Sequence, residues 1–315
     1  MGEGLYPNRR RLLWRPSRCQ DGDALRSLLL ALLVAAMLPT APAQAAFPDD
    51  VVVARLSDVR EATRQGKLDF VVSELAGLVS GPPAHAVGSL GYLEFEFSFD
   101  NRVGFLHTDP LAGEDVSAWD ALAEDGDATR VGYLPTVRFR KGLPWSFEVG
   151  IDFAWLAGSR QMVLGGYGRW AFLDGWTKVP DVAVSLGYTG YLGNDELDLG
   201  VFDLSVAIGY TFDVVSRPGA VRPATKMSPF AGWQLLMTHA APGFVDVEGI
   251  GPVSAWVDDE APLVGVDPQR FRRHRAFVGL EIGSGEVVFR MSGDFTFAKE
   301  APVSVGFNLG LGVSF

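Results

Sequence analysis

From Val303 to Phe315 the chain alternates without a break. Val303, Val305, Phe307, Leu309, Leu311, Val313 and Phe315 fall on one face, and Ser304, Gly306, Asn308, Gly310, Gly312 and Ser314 on the other. A period of two is the mark of a strand with one apolar face and one small or polar face. Residues 145–155 repeat it, with Trp145, Phe147, Val149, Ile151, Phe153 and Trp155 against Ser146, Glu148, Gly150, Asp152 and Ala154. Read in this way, the pattern predicts ten strands: residues 88–100, 131–141, 145–155, 161–172, 181–191, 197–213, 227–239, 273–283, 287–297 and 303–315. An even number returns the C-terminus to the side on which the chain began.

The apolar faces end in aromatic residues, which identifies the solvent they meet. Trp145 and Trp155 lie ten steps apart, roughly 23 Å along a membrane normal at ~3.3 Å per residue and ~45° tilt, close to the ~25 Å apolar band of a membrane-spanning strand barrel. The connections alternate in length accordingly. Residues 142–144 and 284–285 read as tight turns, 101–130 and 240–272 as long outer loops, and 214–226 as an exception, long for its side. If Gly142 to Pro144 form a three-residue loop, Phe139 faces Phe147 and Arg138 faces Glu148. If Ser284 and Gly285 form a two-residue turn, Ile282 faces Val287, Leu280 faces Phe289 and Gly279 faces Arg290. Opposed residues must share a face, and in both hairpins they do.

Before the strands the period changes. Leu68, Val71, Val72, Leu75, Leu78 and Val79 recur at helical spacing, and the Ser80-Gly81-Pro82-Pro83 stretch stops the run, predicting a short amphipathic helix packed on or inside the strand domain. Farther upstream, six arginines precede an apolar run of 12 residues (Ser27 to Leu38) and the small-x-small sequence Ala43-Gln44-Ala45. This is the form of a secretory signal with a long basic n-region, with cleavage by signal peptidase expected after Ala45. The organisation read from the chain is therefore residues 1–45 as signal peptide, 46–87 as a periplasmic or plug segment with a helix, and 88–315 as the strand barrel.

Charge and cysteine content narrow the chemistry. Residues 46–315 carry a formal charge of −14, which repels nucleic acid. The only cysteine, Cys19, lies upstream of the apolar run, so the mature chain offers no thiol for a disulfide, metal or nucleophile. On the polar face of the strands Arg138, Arg140, Arg169, Arg275 and Arg290 share a parity with Glu94, Glu96, Glu148, Asp152, Asp203, Glu281 and Asp294. Interleaved arginines and carboxylates satisfy one another in a narrow interior. They predict either the polar core of a side-chain-filled barrel or the lining of a narrow charged pore.

These features together resemble the bacterial outer-membrane β-barrel proteins. The resemblance covers residues 88–315 and implies an all-β, ten-stranded antiparallel up-and-down transmembrane β-barrel in the outer membrane, reached after signal cleavage. It also implies that Phe307, Leu309, Leu311, Val313 and Phe315 form the terminal signal read by the barrel-assembly machinery, with outer-membrane lipid as the other partner. For activity it is weak, because one architecture hosts pores, enzymes, adhesins and anchors.

Catalytic signatures are sparse. No G-x-S-x-G, H-E-x-x-H or phosphate loop occurs, and neither metal nor cofactor is expected. Ten-stranded omptin-like proteases place a histidine and acidic residues at the outer rim, so His239 and His274 with Asp258 and Asp259 form the alternative, a rim protease or other outer-leaflet hydrolase. The leading expectation is a structural or narrow-pore barrel without enzymatic activity. The acidic stretch within 101–130 reads as a hydrated surface loop.

Overall fold

The computed structural model describes residues 50–81, 85–110, 114–175, 179–215, 225–242, 244–247, 251–254, 271–298 and 301–315. The strands are β1 (Phe95–Phe105), β2 (Val131–Gly142), β3 (Phe147–Trp155), β4 (Met162–Leu173), β5 (Asp181–Leu192), β6 (Leu197–Gly209), β7 (Phe212–Val215), β8 (Thr225–Pro242), β9 (Phe244–Val247), β10 (Gly251–Ser254), β11 (Arg272–Ser284), β12 (Val287–Ala298) and β13 (Ala301–Ser314). Ten of them, β1 to β6, β8 and β11 to β13, pair antiparallel in chain order, and pairing of β1 with β13 closes the ring. The ten-stranded barrel is thus complete, with no open edge. The β7 strand adds to the start of β8, and β9 with β10 forms a separate hairpin.

One end of the barrel, the near end, carries the turns 143–146, 174–180 and 285–286 and the C-terminus, where the Phe95 N–H donates to the Phe315 carbonyl (2.8 Å). The far end carries the longest connections, 106–130 and 243–271. Outward positions are apolar along the strands: Phe147, Val149, Ile151 and Phe153 are exposed on β3, and Phe307, Leu309 and Leu311 on β13. Aromatic rings stack along the near rim, Phe147 on Trp170 (5.4 Å between centroids) and Phe95 on Phe315 (6.3 Å). At the far rim Phe105 meets Phe307 edge-on (6.3 Å). A continuous apolar outer face between two aromatic girdles is what a lipid bilayer requires of a spanning barrel.

Four local expectations are corrected. The first strand starts at Phe95, not 88, and continues to Phe105 because Asp100 and Arg102 point inward and are buried, so these polar residues do not end it. Leu93 takes a left-handed φ of 76° in the turn before it. In the β2–β3 hairpin Pro144–Ser146 form a 3-10 turn with left-handed Trp145 (φ 59°) and Ser146 (φ 58°), so Phe139 faces Ile151, and Arg138 faces Asp152 rather than Glu148. In the β11–β12 hairpin the turn is Gly285-Glu286, with Gly285 at φ 64°, and Ile282 faces Phe289. Both register shifts are even, so every residue keeps its face. Lastly, the 106–130 loop is not merely hydrated surface: its helix α2 (Ala118–Leu122) buries Trp119 and Leu122.

The helix α1 (Glu61–Val79) runs inside the barrel. It packs against β2, β6, β8 and β13, which lie on opposite sides of the ring. It is not amphipathic in effect: Lys67, Ser73 and Glu74 are buried along with Leu68, Val71, Val72 and Leu75. Its apolar side chains meet inward Leu134, Val163, Leu199, Val201 and Leu236, forming a hydrophobic core in the far half of the lumen. From Ser80 the chain descends to the near end, packing Val87 against Phe230 and Phe277 before entering β1. Residue 50 and the C-terminus therefore sit at opposite ends of the barrel. Residue 50 thus lies at the end opposite to that expected for the start of the barrel, because an extra crossing, through the lumen, precedes the ten strands.

Candidate functional site

The candidate site is the near half of the lumen, where register sets charges face to face. Direct cross-strand partners are Glu96 and Arg140, Arg138 and Asp152, Glu148 and Arg169, and Glu281 and Arg290. Side chains then link these pairs into a chain. The Arg290 Nε donates to Glu281 (2.8 Å), and its Nη2 pairs with Glu96. Arg140 grips Glu96 with two nitrogens (3.1 and 2.5 Å) and Glu148 with the third (3.1 Å), and Arg169 binds the other oxygen of Glu148 (3.2 Å). The chain crosses from β12 to β1 over β13 because Gly310 and Gly312 present no side chain there; a Cβ at Gly310 would collide with the Asp100 carboxylate.

A second group holds the middle of the lumen. Arg138 forms a bidentate pair with Asp152 (2.7 and 3.1 Å) and reaches Asp100 (3.2 Å). Arg102 pairs with Asp294 (3.1 Å), which also lies 3.4 Å from Arg275. All of these guanidiniums are nearly excluded from solvent. Charge-assisted bonds of this geometry are what make their burial tolerable.

The remaining donors are directed at the backbone of the luminal segment. The last carbonyls of α1 have no partner within the helix and sit at the negative end of its dipole. Two wall arginines cap them, Arg102 donating to Gly77 (3.2 Å) and Arg275 to both Gly77 and Ser80, while Arg273 donates to the Ser73 carbonyl one turn earlier (2.5 Å). Lower down, Arg169 donates to the carbonyls of Ala86 (2.7 Å) and Val87, while the Ala86 N–H donates to Glu281 (3.0 Å) and the Leu90 N–H to Glu148 (3.4 Å). Near the far mouth Glu74 of α1 accepts from the Trp119 indole (2.7 Å) and the His107 N–H (3.1 Å) and bonds His107 Nδ1 (2.5 Å). The luminal segment is thus bolted to the wall at both ends.

What space is left is small. A cavity of about 60 Å³ lies between the segment and the wall, lined by His85, Asp100, Arg138, Asp152, Tyr167 and Asp203 among others. His85 stacks on Tyr167 (5.9 Å), and His85 Nε2, the Tyr167 hydroxyl and Asp100 Oδ1 make no hydrogen bond among the described residues. Such a cavity is polar and roomy enough for a few water molecules.

Of the residues singled out from sequence, Glu96, Arg138, Arg140, Glu148, Asp152, Arg169, Arg275, Glu281, Arg290 and Asp294 meet in these networks. Asp203 faces the cavity but accepts from the Gln234 amide (2.9 Å). Glu94 is exposed at the near end and accepts from the Gly91 N–H (3.1 Å), so it takes no part. His239 is exposed on the outward parity of β8, and His274 stacks outward between Trp233 (5.5 Å) and Phe297 (5.9 Å); neither points into the mouth. Asp258, Asp259, Ala43 and Ala45, with the whole signal segment, lie outside the described residues. Phe307, Leu309, Leu311, Val313 and Phe315 line the outward face at the β1–β13 seam. Sequence reading missed Arg102, Arg273 and Glu74. Arg102 shares the parity of Glu96 and Asp100, which would have found it once β1 was extended, and Arg273, already inside the expected strand 273–283, shares that of Arg275.

No protein-family model matches the chain, and no curated protein matches it in sequence. Among solved structures it is similar to Ail, the attachment invasion locus protein of Yersinia pestis, in complex with the heparin analogue sucrose octasulfate, at 8% identity over 71% of this chain and 100% of that one (TM-score 0.28). It is similar also to Neisserial surface protein A, at 12% over 70% and 95% (TM-score 0.27). LpxR from Salmonella typhimurium aligns at 10% over 70% and 99% (TM-score 0.34). These are bacterial outer-membrane β-barrels, and at such scores the fold of this chain rests on its own strand pairing.

Proposed function

We propose that the protein is an integral outer-membrane barrel with a structural or anchoring role, its lumen sealed by its own N-terminal segment. One observation carries this reading: the helix α1 and the segment below it occupy the lumen, fastened by four wall arginines to backbone carbonyls. The cavity beside it, about 60 Å³, has room for a few water molecules. The aromatic girdles and apolar outer face support residence in lipid, and the secretory-signal form of residues 1–45 supports the bacterial outer membrane with barrel-assembly machinery and signal peptidase as partners in biogenesis. A narrow-pore role requires the segment to leave. The omptin-like alternative draws no support from His239 or His274, which face outward.

Planar-bilayer recording of the refolded full-length protein tests the reading. A sealed barrel gives no steady current at moderate voltage. A stable open-channel conductance would replace the anchor with a pore.

A further inference from the structure

The path of the chain before β1 places the N-terminal segment on a definite side of the membrane. Residues 50–54 are stitched to three different far-end loops. The Arg160 N–H and guanidinium, in the β3–β4 connection, both donate to the Asp50 carboxylate (2.8 and 2.5 Å). That hydrogen bond raises the Arg160 guanidinium above its ordinary pKa. In the β1–β2 connection the Glu124 N–H donates to the Asp50 carbonyl (3.0 Å) and the Leu122 carbonyl accepts from the Val52 N–H (2.7 Å). In the β5–β6 connection the Asn194 amide donates to the Val51 carbonyl (2.8 Å), and the Glu196 carboxylate accepts from the Ala54 N–H (2.9 Å). Asp50 itself is buried among these loops.

The opposite end of the same segment is equally fixed. Ser89 bonds Asp174 in the β4–β5 turn (2.5 Å), and Phe95 pairs with the C-terminal Phe315. Between these anchors the chain passes once through the lumen, from far end to near end. Outer-membrane barrels keep short turns in the periplasm and long loops outside, and here the far end carries the two longest connections, 106–130 and 243–271, while the near end holds one of intermediate length, 210–224.

We infer that the barrel displays the start of its luminal segment on the cell surface: Asp50 lies outside the cell, held there by the segment that seals the lumen. This rests on the outer-membrane reading above, and it adds a sidedness which that reading does not contain. No return route to the periplasm is open. The lumen is filled, the outer wall is a ~25 Å apolar band, and the four residues between the expected cleavage point after Ala45 and Asp50 reach at most about 14 Å. A signal peptide still embedded in the inner membrane is incompatible with this position, so cleavage precedes emergence of the segment. The capped helix, with α2 folded over it, is also in place before the β1–β13 seam closes, since the closed ring leaves no gap through which to admit it.

Single-cysteine labelling on intact cells tests the inference. In a full-length Cys19→Ser background the introduced thiol is the only one in the chain. Asp58→Cys, at an exposed far-end position, is compared with Ser284→Cys, exposed at the near-end turn. Both are treated with a membrane-impermeant maleimide before and after permeabilisation. The expected result is labelling of Asp58→Cys on intact cells and of Ser284→Cys only after permeabilisation, at least tenfold apart. Heat-modifiable mobility in the outer-membrane fraction is scored in parallel. A heat-modifiable barrel in which Asp58→Cys is reached only after permeabilisation overturns the sidedness alone. Loss of heat-modifiable, outer-membrane protein in both variants and in their parent overturns the reading beneath it. An epitope inserted after Phe47, detected by antibody on intact cells, gives the same discrimination should Asp58→Cys not assemble.

Discussion

Glu148 is the residue whose removal the lumen tolerates least. Its carboxylate is 1% exposed, and it lies 3.1 Å from Arg140, 3.2 Å from Arg169 and 3.4 Å from the Leu90 N–H. In Glu148→Gln two buried guanidiniums lose their shared counter-charge. Arg140 retains Glu96, but Arg169 is left with neutral carbonyls. Breaking a buried pair by deleting one partner costs 3–5 kcal/mol in general; with Arg140 still partnered, the lower end applies, about 3 kcal/mol. Arg140→Met should cost a similar amount. In the double variant the shared contact is lost once, giving a coupling of about 2 kcal/mol, some thirtyfold in the unfolding equilibrium at ~1.4 kcal/mol per decade. Arg138 and Glu148 supply the control. Arg138 spends its donors on Asp152 and Asp100, so Arg138→Met with Glu148→Gln should be additive to within about 0.5 kcal/mol. The assay is reversible urea unfolding in lipid vesicles, followed by tryptophan fluorescence. Coupling stronger for Arg138 than for Arg140 would reinstate the three-residue β2–β3 loop and refute the register. Coupling absent from both would show the lumen to be open water, where charges are screened.

Other consequences follow from single side chains. Gly310→Ala should lose about 1–3 kcal/mol to overpacking against Asp100, whereas Gly168→Ala, with open space around its Cβ position, should be near neutral in the same assay. Deletion of Phe315, which stacks on Phe95 and closes the seam, should lower the amount of heat-modifiable barrel without changing export across the inner membrane; unchanged assembly would refute its role. His239→Ala and His274→Ala should leave assembly intact and stability within about 1 kcal/mol, and loss of a peptide-cleaving activity in either would revive the rim hydrolase.

The barrel was legible because its signal is periodic. Ten alternating runs gave the strand count, the lipid face and the inward parity of ten residues that meet in the lumen. Register was not legible to the same depth: the left-handed Trp145 and Ser146 lengthen one turn by conformations that L-residues seldom adopt. Since both errors were even, faces survived while partners changed, and Arg138 was assigned to Glu148 instead of Asp152. Asn101 and Arg102 looked like the start of a loop because polarity in a filled lumen mimics polarity in water. The luminal helix was seen as a helix, but its position was hidden. One clue was present in β6, where Leu197, Leu199 and Val201 face inward although the outward face carries Phe202. A strand apolar on its inner face needs an apolar partner inside, and only residues 68–79 could supply one.

The central claim is that residues 61–79 fill the lumen as a packed helix rather than resting on a membrane surface or in the periplasm. Amide hydrogen exchange of the refolded protein in lipid nanodiscs reads this directly, because exchange requires the hydrogen bonds of α1 to open. The account predicts that amides from Leu68 to Val79 are protected as strongly as those of β1 and β13, exchanging only when the barrel itself unfolds. Exchange of those amides within seconds, beside fully protected strands, would contradict it.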